Sequence, residues 1–105
     1  TIEAESFRSL RTSLALVTPD DPPRAVLFTS AVPGEGKSYC SANYAAALAQ
    51  QGLRTLLIDA DLRRPGLRLR FAAERATQGP GLTDCLRNPE LLSEAVRPAR
   101  LGNLF

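Results

Sequence analysis

The stretch Ala31-Val-Pro-Gly-Glu-Gly-Lys-Ser38 decides how the rest of this 105-residue chain reads. Before it runs Ala25-Val-Leu-Phe-Thr29, an apolar segment that reads as a buried strand. After it comes Ser38 to Gln51, which reads as a helix. Strand, glycine loop and helix, in that order, make a phosphate-binding loop. Gly34 and Gly36 allow backbone angles closed to other residues, so successive N–H groups from Gly34 through Glu35, Gly36, Lys37 and Ser38 to Tyr39 can turn toward an anion at the positive end of the helix. Pro33 has no N–H and shapes the entry. Lys37 is placed to reach the outer phosphates, and the Ser38 hydroxyl to hold a magnesium ion. The strict pattern G-x-x-x-x-G-K-[ST] wants Gly at position 31 and finds Ala. Composition offsets that departure: thirteen residues are Lys or Arg, and the one Lys among them stands where a phosphate loop requires it.

Length and composition set the frame. A chain of this size forms one small core, and 44% hydrophobic with 23% charged is ordinary for a globular domain. It begins at Thr1, contains no Met, and stops in Leu101-Gly-Asn-Leu-Phe105, the opening of a further strand, so it reads as a piece of a longer protein. A net charge of +2, spread along the chain, gives no electrostatic footprint for nucleic acid or membrane. Cys40 and Cys85 lack metal-ligand spacing, and there is no His to join them, so no zinc site is expected, and Cys40, in the first turns of the helix after the loop, reads as a buried inert thiol. No run approaches the length of a membrane span, and any membrane attachment is expected outside this chain.

In the first 17 residues Phe7, Leu10, Leu14 and Val17 recur at helical spacing and predict an amphipathic helix, with Glu5, Arg8 and Arg11 on one charged flank beside that stripe. By periodicity alone that flank is a solvated face. Thr18 to Pro23 is a turn, since consecutive prolines do not continue a helix. Gly52 stands where a helix C-cap is expected. Thr55-Leu-Leu-Ile-Asp59 is apolar without alternation, as a strand buried on both faces of a parallel sheet should be. Residues 24–66 thus form a βαβ unit, and 67–105 a helical segment with the start of the next strand. Leu67 to Arg75 reads as a short helix, Leu82 to Arg87 as another, and Asn88 caps a helix opened by Pro89 and ending near Ala95. The fold class is α/β, P-loop NTPase-like, a parallel sheet flanked by helices. In such sheets ligands bind beyond the carboxyl ends of the strands, which puts Asp59 and Asp61 in the crevice with the loop. Two carboxylates beside a triphosphate repel it unless a metal stands between, so both are candidate magnesium ligands, and one can take a proton from an attacking hydroxyl. Asp61 could instead cap the turn before Leu62, and Arg63 and Arg64 could pair with the carboxylates or with phosphate.

Together, Glu5-x-x-Arg8-x-x-Arg11, Pro33-Gly-Glu-Gly-Lys-Ser38 and Leu56-Leu-Ile-Asp-Ala-Asp-Leu-Arg-Arg-Pro65 resemble the N-terminal half of the cytoplasmic catalytic domain of the bacterial tyrosine kinases of capsule and exopolysaccharide assembly. By that resemblance Lys37 and Ser38 belong to the Walker A motif, Asp59 and Asp61 to the motif called Walker A-prime, and Glu5, Arg8 and Arg11 to a contact between subunits of a ring. The resemblance implies ATP and Mg2+ as cofactors and phosphoryl transfer to a tyrosine hydroxyl. Lys37, Asp59 and Asp61 are then the catalytic residues. It also implies a homo-oligomeric partner copy, a membrane chain-length or co-polymerase protein, fused or separate, no nucleic acid, and a place at the inner face of the cell membrane. The family's Walker B strand and C-terminal tyrosine cluster fall beyond residue 105, so this stretch alone is expected to be inactive. The family often has His where Arg68 stands, and Thr or small apolar residues where Tyr39 and Cys40 stand.

Two other functions fit part of the pattern. Partition and division-site ATPases share the loop but carry an additional lysine early in it, where this chain has Val32. A nucleotide-binding regulatory module of a polysaccharide export complex would share the loop without transferring phosphate. Tyr39 and Tyr44 lie on the helix after the loop and are expected to be packed rather than phosphorylated.

Overall fold

In the computed structural model, residues 2–21, 24–32, 34, 36–61, 79–99 and 101–105 are described. Pro33, Glu35, Arg63, Arg64, Arg68 and the helix expected at Leu67 to Arg75 lie outside them. Helix α1 is Ile2–Val17 and helix α2 is Lys37–Gln50. Shorter helices α3, Leu82–Arg87, and α4, Leu92–Ala95, flank a 3-10 turn at Pro89–Leu91. Among the described residues no helix is long and apolar enough to cross a membrane.

Each of these elements ends for a local reason. After α1 the chain turns at residues 18–21, where the Asp21 amide donates to the Thr18 carbonyl at 3.1 Å and the Thr18 hydroxyl donates to the Asp21 carbonyl at 2.7 Å. Helix α2 closes in a Schellman arrangement: Gly52 sits at φ 96°, its amide donates to the Ala49 carbonyl at 3.0 Å, and the Leu53 amide reaches back to Leu48 at 3.2 Å. The Asn88 side chain accepts the Glu90 amide at 3.3 Å and Pro89 follows it, as expected of a helix start, but the first turn winds as a 3-10 turn before α4 begins.

Helix α2 is the structural centre. Its Ala42, Ala45, Ala47 and Ala49 are buried, together with Tyr44. Alanines at this spacing let the helix axis approach its neighbours closely. On one side Ala45 and Ala49 meet Leu104, itself only 2% exposed, with Leu57, Ala99 and Leu101 packed around them. On another side lies α1.

The parallel sheet expected from the apolar runs is not built among the described residues. They hold a single parallel bridge, Thr55 to Leu104. Its three bonds run in the slanted parallel pattern: Thr55 N–H to Asn103 O at 2.7 Å, Phe105 N–H to Thr55 O at 2.9 Å, and Leu57 N–H to Phe105 O at 2.9 Å. Within 101–105 the chain first turns, the Leu104 amide donating to the Leu101 carbonyl at 3.2 Å with Asn103 at φ 68°, and only Leu104 and Phe105 run beside the second apolar run. Residues 25–30 form no helix and join no ladder among the described residues. Consecutive parallel strands need not be neighbours in a sheet, and a strand with no pairing partner stays open on its faces. Leu27, 85% exposed, with Leu56 and Ile58 more than half exposed, are the apolar side chains such cover would bury.

Leu104 gives a test of this core. Leu104→Ala in the intact protein is expected to destabilise it by about 2–5 kcal/mol, the range for a buried leucine. Leu16→Ala, at an exposed site on α1, should stay within about 0.5 kcal/mol. Urea unfolding midpoints decide, and equal effects would remove Leu104 from the core.

Candidate nucleotide site

At the end of the run 25–30 the chain is turned by its own side chain, the Ser30 hydroxyl donating to the Val32 carbonyl at 3.1 Å. The loop then passes through Gly34 at φ 85° and Gly36 at φ 90°. A Cβ at either glycine would meet nothing within 4 Å. Space therefore does not demand glycine here; the left-handed backbone does, at roughly 1–2 kcal/mol for any other residue. The same open space leaves room for an anion in front of the loop. Gly36 is also the N-cap of α2, and having no side chain it offers no capping oxygen. The amides that open α2 and the positive end of its dipole thus point into the mouth of the loop, which suits phosphate.

Lys37 and Ser38 are the first two residues of that helix. Lys37 Nζ lies 3.4 Å from Asp61 Oδ2, with the two side chains 40% and 28% exposed. Exposure to solvent keeps such a pair to about 1 kcal/mol or less. A polyphosphate, with more charge and shorter bonds to offer, can displace it. Asp61 is aimed by Asp59, whose Oδ1 accepts the Asp61 amide at 3.0 Å in an Asx turn. Asp59 thus makes a turn with the Asp61 amide, and the Asp61 carboxylate lies against the lysine; the residues that Asp61 could cap, from Leu62 onward, lie outside the described residues. The structure so brings together residues separated by 24 positions, from the two motifs that sequence alone assigned to one crevice.

Ser38, Asp59 and Asp61 offer hydroxyl and carboxylate oxygens, the hard donors that magnesium takes. Magnesium is usually held by one or two carboxylates with substrate phosphates and water rather than in an all-protein cage. That suits this donor set, since the described residues contain no cluster of three or more His, Cys, Asp and Glu able to hold a metal. A hollow of about 460 Å³ opens on the far side of Asp59 and Asp61, but Leu56, Ile58, Leu92 and Val96 make much of its wall apolar and unsuited to phosphate.

Of the charged flank on α1, Glu5 and Arg8 are exposed. Arg11 is half-buried and donates from Nη1 to the Ala47 carbonyl of α2 at 3.0 Å, so it ties α1 to α2 within the chain. Sequence reading missed the aromatic contacts. Phe7 meets Tyr39 edge-on with ring centroids 5.8 Å apart, and Phe28 meets Tyr44 at 5.5 Å. Phe7 was visible only as part of an apolar stripe; nothing in the spacing names its partner. Tyr44 is 6% exposed, and burial pushes its hydroxyl above the ordinary value. Tyr44 is packed, as its position suggested, whereas Tyr39 keeps its contact with Phe7 but is exposed.

Residues 26–98 match the CbiA family, the CobQ/CobB/MinD/ParA nucleotide binding domain. The chain is 40% identical over 103 residues to the tyrosine-protein kinase YwqD of Bacillus subtilis (strain 168), covering 98% of this chain and 42% of YwqD. It is 48% identical over 64 residues to the succinoglycan biosynthesis transport protein ExoP of Rhizobium meliloti (strain 1021), covering 61% of this chain and 8% of ExoP. A solved structure titled BceF Tyrosine Kinase Domain superposes with a TM-score of 0.80 at 40% identity, covering 96% of this chain and 38% of that one. This chain thus spans well under half the length of these relatives.

Lys37 is the first residue to test. Lys37→Met in the intact protein should weaken ATP binding at least about tenfold, since bonds to charged groups contribute about 1.5–3 kcal/mol. No other lysine in this chain can substitute. In a calorimetric titration, affinity within about threefold of the parent would contradict the assignment of Lys37 to phosphate.

Proposed function

We propose, since this chain belongs to the CobQ/CobB/MinD/ParA nucleotide binding domain family, that it is the nucleotide-binding half of a bacterial protein tyrosine kinase acting in exopolysaccharide and capsule assembly. The observation that carries the reading is the Lys37 to Asp61 pair at 3.4 Å, which joins the loop lysine to the second aspartate motif in one crevice. The names of these relatives favour a kinase. The family description also embraces MinD and ParA, but Val32, where that kind of ATPase has a further lysine, speaks against that reading.

ATP enters with its phosphates over Gly34 and Gly36, against the amides that open α2. Lys37 exchanges Asp61 for the β- and γ-phosphate oxygens and stabilises the charge that spreads over them as the bond to the γ-phosphorus loosens. Ser38, Asp59 and Asp61 would hold Mg2+, which supplies neutralisation of phosphate charge. The carboxylate of Asp59 or Asp61 accepts the proton of the attacking tyrosine hydroxyl, and the γ-phosphoryl group passes in line to its oxygen as ADP leaves. Glu5 and Arg8, exposed side by side on α1, face a second copy of the chain in a ring-shaped oligomer, while Arg11 anchors α1 beneath them. A membrane-embedded polysaccharide co-polymerase, on the same chain or separate, would hold the domain at the inner face of the cell membrane.

Asp59→Asn separates the carboxylate's charge from its structural role, because an asparagine oxygen can still accept the Asp61 amide and keep the turn. The variant should bind ATP and fold normally but transfer phosphate to a tyrosine peptide at a rate lower by about 10²-fold or more. Near-normal turnover would return Asp59 to a purely structural role.

Assembly is tested on the exposed pair. Replacing Glu5 and Arg8 by Ala should leave ATP affinity unchanged and convert the oligomer to monomers, since truncating desolvated interface charges costs about 2–5 kcal/mol each in association. If the flank is a solvated face, light scattering will return an unchanged mass and the ring reading is wrong.

A further inference from the structure

Helix α2 enters the phosphate site with no side-chain cap, and Lys37 and Ser38 sit in its first turn. That is where a helix frays most readily, having fewest internal bonds. The first amide to close the helix is Cys40, donating to the Gly36 carbonyl at 2.9 Å. Between them stands Tyr39, whose ring is engaged by Phe7 of α1 in a T-shaped contact, 5.8 Å between centroids and 66° between planes. Phe7 is half-buried beneath that ring. One turn along α1, Arg11 bonds Ala47, about two turns along α2, so the two helices are tied at two points. On the other side of the loop Phe28 packs on Tyr44. The phosphate loop is therefore slung between two aromatic contacts that both land on α2, and the one nearer to Lys37 comes from α1.

We infer that Phe7 is a positioning residue for the phosphate site. By holding the Tyr39 ring it fixes the rotation of the first turn of α2, and with it the directions in which Lys37 and Ser38 leave the helix. Phe7 touches neither phosphate nor metal; it acts through Tyr39. The inference rests on the assignment of Lys37 and Ser38 to phosphate and its metal. Preorganised placement is what converts such side chains into affinity, because a ligand that must also order the turn loses part of its binding energy to that ordering.

The test uses the intact protein, with ATP and magnesium titrated calorimetrically and thermal unfolding measured in parallel. Phe7→Leu keeps an apolar side chain on α1 but removes the aromatic edge; it should weaken ATP affinity by about three- to tenfold, the scale of an aromatic pair. Phe7→Tyr keeps the ring and should stay within about twofold of the parent. Leu14→Ala, on the same stripe of α1 two turns away, should lower the unfolding temperature at least as much as Phe7→Leu while leaving affinity unchanged. Should Phe7→Leu fail to fold, Tyr39→Leu removes the same contact from a residue 38% exposed, with the same loss of affinity expected. Parent-like affinity in the leucine variant, or an equal loss in Leu14→Ala, would reduce Phe7 to a core residue and overturn the inference. Lys37→Met keeps the two claims apart: if it abolishes ATP binding while loss of the aromatic contact does nothing, the phosphate reading stands and the positioning role falls. If Lys37→Met binds ATP as the parent does, both fall.

Discussion

Gly36 carries the conformational constraint on which the site depends. At φ 90° it ends the loop and starts α2 in one residue, and being glycine it leaves the helix without a cap. A serine or aspartate would satisfy the opening amides but would set an oxygen where an anion has to sit, and either would be strained at that φ. The end without a side-chain cap is a small local cost, on the order of a few tenths of a kcal/mol for glycine, that a bound phosphate can recover. It also makes the first turn dependent on what packs against it from outside, and here that is α1.

The remainder of α2 meets the opposite need. Its small buried alanines bring it close to Leu104 on one side and to α1 on another, so the helix is held along its length while its entry stays open. Charge follows the same division. Lys37 and Asp61 remain partly exposed and only weakly paired, so the lysine is not locked away from an incoming nucleotide. A deeply buried pair in the same place would resist the exchange, since breaking it would strand an uncompensated charge.

Much of the site was legible in the sequence because its requirements are local. Two glycines, one lysine and a serine within five residues specify a left-handed loop and a helix start, and α1 and α2 follow from periodicity and from Gly52 at the C-cap. The joint placement of Lys37 and Asp61 was legible through the rule that strand ends share a crevice. Less legible was whatever depends on tertiary contact. That Phe7 meets Tyr39, that Arg11 turns inward to Ala47, and that Asp59 accepts the Asp61 amide cannot be read from spacing, since each is settled by which partner lies within reach. The sheet is left at one bridge among the described residues for a related reason. Apolar runs announce burial, but pairing requires neighbours, and among the described residues only Thr55 and Leu104 find one another.

The central claim is that Lys37 exchanges Asp61 for phosphate, and a crystal structure of the intact protein with magnesium and a non-hydrolysable ATP analogue tests it most directly. The account predicts Lys37 Nζ within about 2.7–3.2 Å of a β- or γ-phosphate oxygen, with Asp61 no longer its partner and the phosphates seated over Gly34 and Gly36. A lysine still paired to Asp61, with the phosphates bound elsewhere, would contradict it.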